Sequence, residues 1–211
     1  WFLLREDRAH PEPRSLVVTS FAAGMVVVLL VLPLQQYALD RFSGNDLVLS
    51  WVIIEEVLKY MAALAVVLWS KQVDEPIDAV IYMIAIALGF SALENALFIF
   101  SPLSSGNGAE AVLTGNFRFV GASLLHILAS GTVGVAMAFA FYKGTFMRVA
   151  YATVGLCIAI VLHALFNFSI MNAHGETLLS IFMFVWLGII VLFVVFEKVK
   201  RIQQPRRTAI R

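Results

Sequence analysis

The stretch "WVIIEEVLKYMAALAVVLW" at residues 51–69 decides the fold, because it is long and apolar enough to cross a bilayer and yet contains charges. Glu55, Glu56 and Lys59 lie within its apolar length. Each charge near the bilayer centre costs about 2.5–3.5 kcal/mol on the insertion scale. Lys59 is three or four residues from the glutamates, so pairing within the helix recovers part of that cost. The reason for the charges must therefore lie in the rest of the chain.

The composition is that of a membrane protein. The 211 residues are 61% hydrophobic and 14% charged, and the mean hydropathy is +0.89. Soluble domains contain about 25% charged residues, and apolar runs of about 20 residues recur along this chain. These features predict an all-α, polytopic helical membrane protein that is embedded in a lipid bilayer. The net charge of +1 does not favour binding to nucleic acid, and the single Cys157 cannot form an intramolecular disulfide.

Connections that contain glycine or proline separate about six predicted transmembrane helices. The spans cover about residues 16–34, 47–70, 77–100, 117–142, 147–171 and 177–196. The apolar start "WFLL" predicts one more helix upstream of Trp1. Residues 1–211 are predicted to form a single transmembrane helical domain, with residues 1–15 as a cytoplasmic lead-in and residues 198–211 as a basic cytoplasmic tail.

The distribution of lysine and arginine predicts the orientation in the cell membrane. Arg41 and Arg118 are the two basic residues assigned to the outer side, and twelve are assigned to the cytoplasmic side. The twelve are Arg5, Arg8, Arg14, Lys71, Lys143, Arg148 and the six basic residues of the tail. This bias predicts that both ends of the sequence lie in the cytoplasm. Residues 101–116 are then predicted to form the longest loop, outside the cytoplasm, and to act as a lid or a substrate contact.

Strongly polar residues occur inside four of the predicted spans. They are Glu55, Glu56, Lys59, Glu94, Asn95, His126, His163 and Asn167. With a rise of about 1.5 Å per residue, Glu56, Glu94, His126 and His163 all lie roughly 9–14 Å below the outer ends of their spans. Alternate spans run in opposite directions across the membrane. The agreement in depth is therefore not a trivial result of where these residues occur in their spans. The common depth predicts one buried layer of carboxylates and imidazoles, suited to general acid–base chemistry on water.

Four short motifs follow one another in this layer: "EEVLK" at 55–59, "FSALE" at 90–94, His126, and "HALFN" at 163–167. In this order they resemble the motifs of the PrsW family of glutamate-type intramembrane proteases, relatives of the CAAX-processing and bacteriocin-processing membrane proteases. The resemblance implies a peptidase that cleaves a single-span membrane protein. The namesake makes the first cut in an anti-sigma factor, so the resemblance also implies such a substrate. Independently of it, the depth of the polar layer and the predicted orientation indicate a cut near the extracytoplasmic face.

The resemblance further implies a set of catalytic residues and no cofactor. The catalytic set is Glu55, Glu56, Glu94, His126, His163 and Asn167, with Lys59 and Phe90 in support. Glu55 would act as the general base on water, and His163 and Asn167 would donate to the developing oxyanion. Glu56 and Glu94 would orient the base or shuttle protons, and His126 would complete the site.

Three alternatives remain open at this stage. One glutamate and two histidines form a normal zinc ligand set, although the sequence contains no HExxH motif. Layers of glutamate and histidine also occur in ion or proton transporters, but the cytoplasmic halves of the predicted spans are nearly all apolar. The third alternative is a non-enzymatic scaffold. The sequence indicates neither the oligomeric state nor the site of cleavage.

Overall fold

The structure, a computed structural model, describes residues 12–68, 70–171 and 176–202. Within these ranges the chain forms α-helices and one π-helix without any strand, which confirms the all-α prediction. The helices are α1 (Arg14–Leu39), α2 (Gly44–Ala63), the π-helix (Leu64–Leu68), α3 (Pro76–Ser104), α4 (Gly108–Val120), α5 (Ala122–Phe139), α6 (Thr145–Met171) and α7 (Glu176–Val199). The "WFLL" segment, Trp69 and most of the basic tail lie outside the described residues.

Five helical segments of the described chain are long and apolar enough to cross a membrane. They are Arg14–Leu39, Pro76–Ser104, Gly108–Phe139, Thr145–Met171 and Thr177–Val199. The second predicted span is helical as well, from α2 through the π-helix, but its three charges keep it out of this apolar set. Large apolar side chains are exposed along the outside of the helices, as expected where lipid replaces water. The chain is therefore a multi-pass membrane protein.

The prediction of a long loop at residues 101–116 is wrong. Helix α3 continues to Ser104 and α4 begins at Gly108, so only a short turn separates them. Gly106 adopts a φ of 82° in this turn, a conformation that glycine tolerates best. The Oδ1 atom of Asn107 accepts from the backbone N–H of Glu110 at 3.2 Å, and its Nδ2 atom donates to the Glu110 carboxylate at 2.7 Å. This reciprocal cap starts a helix where the glycine and serine content favours a loop.

Helix α3 lies at the centre of the bundle and contacts α1, α2, α4, α5 and α7. Its first half is almost completely buried. Glycines allow α1 to approach it closely, because Gly24 faces the Ile86 carbonyl and Gly89 faces the Phe21 carbonyl. This close approach places Phe90 and Glu94 of α3 beside α1 and α2.

Gly89→Ala should lower the thermal stability of the protein in detergent micelles. Alanine is the better helix former by about 1 kcal/mol, but its Cβ atom would overlap the backbone of Phe21. Gly108→Ala is the matched control, since a Cβ atom there meets nothing within 4 Å. A Gly89→Ala variant as stable as the Gly108→Ala variant would contradict the close contact between α1 and α3.

The halves of the spans that the sequence analysis assigned to the cytoplasmic side are less apolar than expected, which corrects the sequence-based picture. Asp78 and Tyr82 are buried near the start of α3, together with Glu12. The Tyr82 hydroxyl donates to the Glu12 carboxylate. The Oδ2 atom of Asp78 accepts from the backbone N–H groups of Asp74 at 2.9 Å and Glu75 at 2.7 Å. Asp78 is 16 residues from Glu94 on α3, or about 24 Å along the helix, so these acids are remote from the predicted site.

Candidate active site

A cavity of about 430 Å³ lies between helices α1 to α6. Five of the predicted site residues line it, together with Phe90. The five are Glu55 of α2, Glu94 of α3, His126 of α5, and His163 and Asn167 of α6. Glu56 and Lys59 are buried next to them. The structure thus brings together the residues that the sequence placed in one layer, although their catalytic roles stay a prediction.

Glu55 presents one free carboxylate oxygen to this cavity. The side chain is buried, and its Oε1 atom accepts a hydrogen bond from Nε2 of Gln35 at 2.8 Å. Its Oε2 atom is buried and has no hydrogen-bond partner among the described residues. This oxygen lies 3.8 Å from Nε2 of His163, which is too far for a direct hydrogen bond. Glu55 therefore has an oxygen available to an incoming group.

Glu56 orients the ring of His163. The Oε1 atom of Glu56 lies 2.7 Å from Nδ1 of His163 and accepts from Nζ of Lys59 at 2.5 Å. An ionised carboxylate only accepts, so Nδ1 of His163 carries a proton and Nε2 is the atom directed at Glu55. Lys59 was expected to neutralise both glutamates, but within this cluster its ion pair is with Glu56.

His126 continues the series of contacts toward α3 and α4. Lys59 donates from Nζ to Nδ1 of His126 at 3.1 Å. Because an ammonium group cannot accept, Nδ1 is the acceptor and Nε2 donates to Oε2 of Glu94 at 3.2 Å. The Glu94 carboxylate also forms an ion pair with Arg118. We call these linked contacts, from Glu56 through Lys59, His126 and Glu94 to Arg118, the charge chain.

Phe90 supports this chain by packing. Its ring meets the His126 ring edge to face, with centroids 5.1 Å apart, and Nζ of Lys59 lies 4.9 Å from its centroid. The His126 and His163 rings meet in the same way at 5.0 Å. Asn167 lines the cavity one turn after His163 on α6. The supporting role that the motif assigned to Phe90 agrees with these contacts.

The structure adds two cavity residues that sequence reasoning missed. Arg118 was assigned to the outer side, at the start of the fourth predicted span. It lies in the last turn of α4 and contacts Glu94, with Nε donating to Oδ1 of Asn95 at 3.0 Å. Gln35 lies beyond the predicted end of the first span, whereas α1 continues to Leu39. A glutamine at the end of an apolar helix was the only available signal for Gln35. No local sequence signal pointed to Arg118, because its partners lie on another helix.

Three of these residues also fit a metal ion. Glu55, His126 and His163 each offer one ligand atom, and these atoms all lie within 4.8 Å of one another. One carboxylate and two imidazoles are a known zinc ligand set, and the unpartnered Oε2 atom of Glu55 suits a ligand. The bond from His163 to Glu56 is typical of a support for a ligating histidine. Both nitrogens of His126 have partners already, so a metal would replace Lys59 or Glu94 there.

Helices that span a membrane around a cavity of carboxylates and imidazoles define a membrane protein equipped for hydrolysis. A family model described as "PrsW family intramembrane metalloprotease" matches residues 12–196. The chain therefore belongs to the PrsW family, and it is an intramembrane peptidase. The glutamate type of catalysis is compatible with this membership, although the family description names a metalloprotease.

Curated relatives support the assignment. The chain is similar to Protease PrsW of Bacillus subtilis, with 30% identity over 177 residues that cover 80% of this chain and 75% of the relative. It is 25% identical to Protease PrsW of Oceanobacillus iheyensis, covering 86% of this chain and 82% of that one. It is also 25% identical to Protease PrsW of Clostridioides difficile, covering 88% of this chain and 79% of that one. No solved structure matches the chain significantly.

Proposed function

We propose that this peptidase cleaves single-span membrane proteins and that Glu55 activates the attacking water. One observation carries the proposal: the Oε2 atom of Glu55 is buried in the cavity, 3.8 Å from Nε2 of His163, and no group of the described residues forms a hydrogen bond with it. A carboxylate oxygen in such a position can accept a proton from a water molecule. The low dielectric around it strengthens its interactions with charge that develops in the reaction.

The proposed reaction is an ordinary peptide hydrolysis. Glu55 takes a proton from water, and the water oxygen attacks the scissile carbonyl. With a proton on Nε2, His163 donates from that atom to the oxyanion with help from the Asn167 amide. The C–N bond then breaks as the proton held by Glu55 passes to the leaving amine. Glu56 holds the His163 ring, and Glu94 holds the His126 ring.

A metal-dependent reaction is the second candidate, and the grouping of Glu55, His126 and His163 within 4.8 Å favours it. These three residues would hold the ion. When bound, a zinc ion would supply a Lewis acid that polarises the carbonyl and lowers the pKa of water. In that arrangement Glu56 would keep its present role of holding His163 through Nδ1.

The proposal is tested by finding a substrate and cleaving it in a defined system. New N-termini in the membrane proteome should appear in cells that express the protein and be absent from cells that lack it. A single-span substrate found in this way is then incubated with the purified protein in liposomes, with and without EDTA or phenanthroline. Cleavage that survives the chelators supports Glu55 activation of water. Loss that zinc reverses would favour the metal reaction, and the absence of any cleaved single-span protein would overturn the proposal.

We also propose that the site lies toward the extracytoplasmic side and that both ends of the sequence are cytoplasmic. Glu94 and His163 lie in the C-terminal halves of α3 and α6, and His126 lies in the N-terminal part of α5. Glu55 lies just before the middle of the helical stretch that α2 and the π-helix form together. All four positions correspond to one end of the bundle, and the excess of basic residues at the other end assigns that end to the cytoplasm. A cut near the outer face follows from this orientation.

Cysteine labelling in intact cells tests this orientation. In a Cys157→Ser background, Ser105→Cys should react with a membrane-impermeant maleimide, because Ser105 is exposed in the turn between α3 and α4. Gln204→Cys in the basic tail should stay unlabelled until the membrane is broken. The reverse labelling pattern would place the glutamates near the cytoplasm and remove the case for cleavage outside it.

A further inference from the structure

We infer that Gln35 is a positioning residue that holds the Glu55 carboxylate in its reactive orientation, an inference that rests on the proposed function. Gln35 lies near the C-terminal end of α1, and its side chain is half-buried in the wall of the cavity. Its Nε2 atom donates to Oε1 of Glu55 at 2.8 Å. No other hydrogen bond to this carboxylate occurs among the described residues.

The end of α1 is itself tied to α2 at this position. Trp51 donates from Nε1 to the backbone carbonyl oxygen of Gln35 at 3.1 Å. Trp51 and Glu55 are four residues apart on α2, so they project from the same face. Gln35 therefore contacts two successive turns of α2, through its carbonyl oxygen and its amide. These two contacts fix the position of the Gln35 amide along α2, at the level of the Glu55 carboxylate.

The hydrogen bond distinguishes the two oxygens of Glu55. The terminal torsion of a glutamate is broad, so an unrestrained carboxylate rotates easily. With Oε1 occupied by Gln35, Oε2 is the atom left facing Nε2 of His163. Loss of a hydrogen bond to a charged group is expected to slow the reaction about 10- to 100-fold when the bond is needed for it.

The chain offers a matched control in the next residue. Gln36 has the same side chain as Gln35, but it is exposed on the outside of α1. Methionine resembles glutamine in length and shape and has no donor. Comparing Gln35→Met with Gln36→Met therefore isolates the hydrogen bond to Glu55 from general effects of the substitution on α1.

The test measures kcat, KM and the pH–rate profile of the purified full chain on its single-span substrate. Gln35→Met should lower kcat about 10- to 100-fold, with KM within about twofold of the original, while Gln36→Met changes neither. The acid limb of the profile should move to higher pH for Gln35→Met, because the ionised carboxylate loses a donor. A residue that only fills space would leave the acid limb of Gln35→Met at the pH found for Gln36→Met.

Two results would overturn the inference. The first is a Gln35→Met variant as active as Gln36→Met, and the second is a Gln35→Met acid limb at the same pH as that of Gln36→Met. Glu55→Gln, measured in parallel, separates this inference from the function on which it depends. If Glu55→Gln cleaves normally, the assignment of the base fails. If Glu55→Gln is inactive and Gln35→Met is normal, the role of Gln35 fails alone.

Discussion

Glu55→Gln should lower the rate of substrate cleavage about 10²- to 10⁴-fold, the range expected for loss of a general base. The amide has nearly the same shape, so packing around Gln35 and His163 is kept, but it cannot take a proton from water. Expression, insertion and thermal stability should stay close to those of the unchanged protein. The measurement is the initial rate of cleavage of a reconstituted single-span substrate.

Glu110→Gln is the control for this variant. Glu110 is an exposed glutamate at the start of α4, outside the cavity. Its substitution should leave the rate unchanged. Near-normal cleavage by the Glu55→Gln variant would contradict the assignment of Glu55 as base, and it would direct attention to Glu56 or Glu94.

Lys59→Met should lower the free energy of unfolding by about 3–5 kcal/mol, the cost of removing one partner from a buried ion pair. Lys59 has no exposed surface, and its ammonium group contacts both Glu56 and His126. Methionine fills a similar volume but leaves the Glu56 charge without its cation, inside the bundle. The loss therefore comes from the uncompensated carboxylate more than from lost packing.

A denaturant titration in mixed micelles measures this effect, with Lys71→Met at an exposed position as the control. The double variant Glu56→Gln with Lys59→Met should recover much of the lost stability, because it removes both charges together. It should not recover cleavage if Glu56 is needed to hold His163. A Lys59→Met variant as stable as Lys71→Met would show that the buried pair contributes little.

The sequence predicted the residues of the cavity because intramembrane charges are costly and therefore informative. Glu56, Glu94, His126 and His163 were each identifiable as polar groups in apolar spans, and the helical rise placed them at one depth, with Glu55 next to Glu56. Their positions within spans that alternate in direction were sufficient to predict that they share a layer. The structure shows which atoms face each other, and this depends on side-chain orientations that no spacing specifies.

Features at the ends of helices were harder to predict. Residues 108–116 of α4 were assigned to a loop because the preceding segment is rich in glycine and serine, although the Asn107–Glu110 cap was a local signal for a helix start. Polar residues at a span end, such as Gln35, are normally assigned to the membrane interface. The partner of Arg118 is 24 residues away on α3. Such contacts depend on how helices pack, which local sequence patterns do not report.

The charge chain couples the biogenesis of the protein to its tertiary structure. Its members come from α2, α3, α4 and α5, and only Lys59 and Glu56 can pair within one helix. A helix that entered the bilayer alone would carry its remaining charges unpaired, at about 2.5–3.5 kcal/mol for each one near the centre. Contacts between helices offset this cost only after the helices meet. The stretch from α2 through the π-helix, which carries three charges and lies outside the apolar set, is therefore stabilised in the membrane by α5 and α6, which are synthesised later and bring His126 to Lys59 and His163 to Glu56.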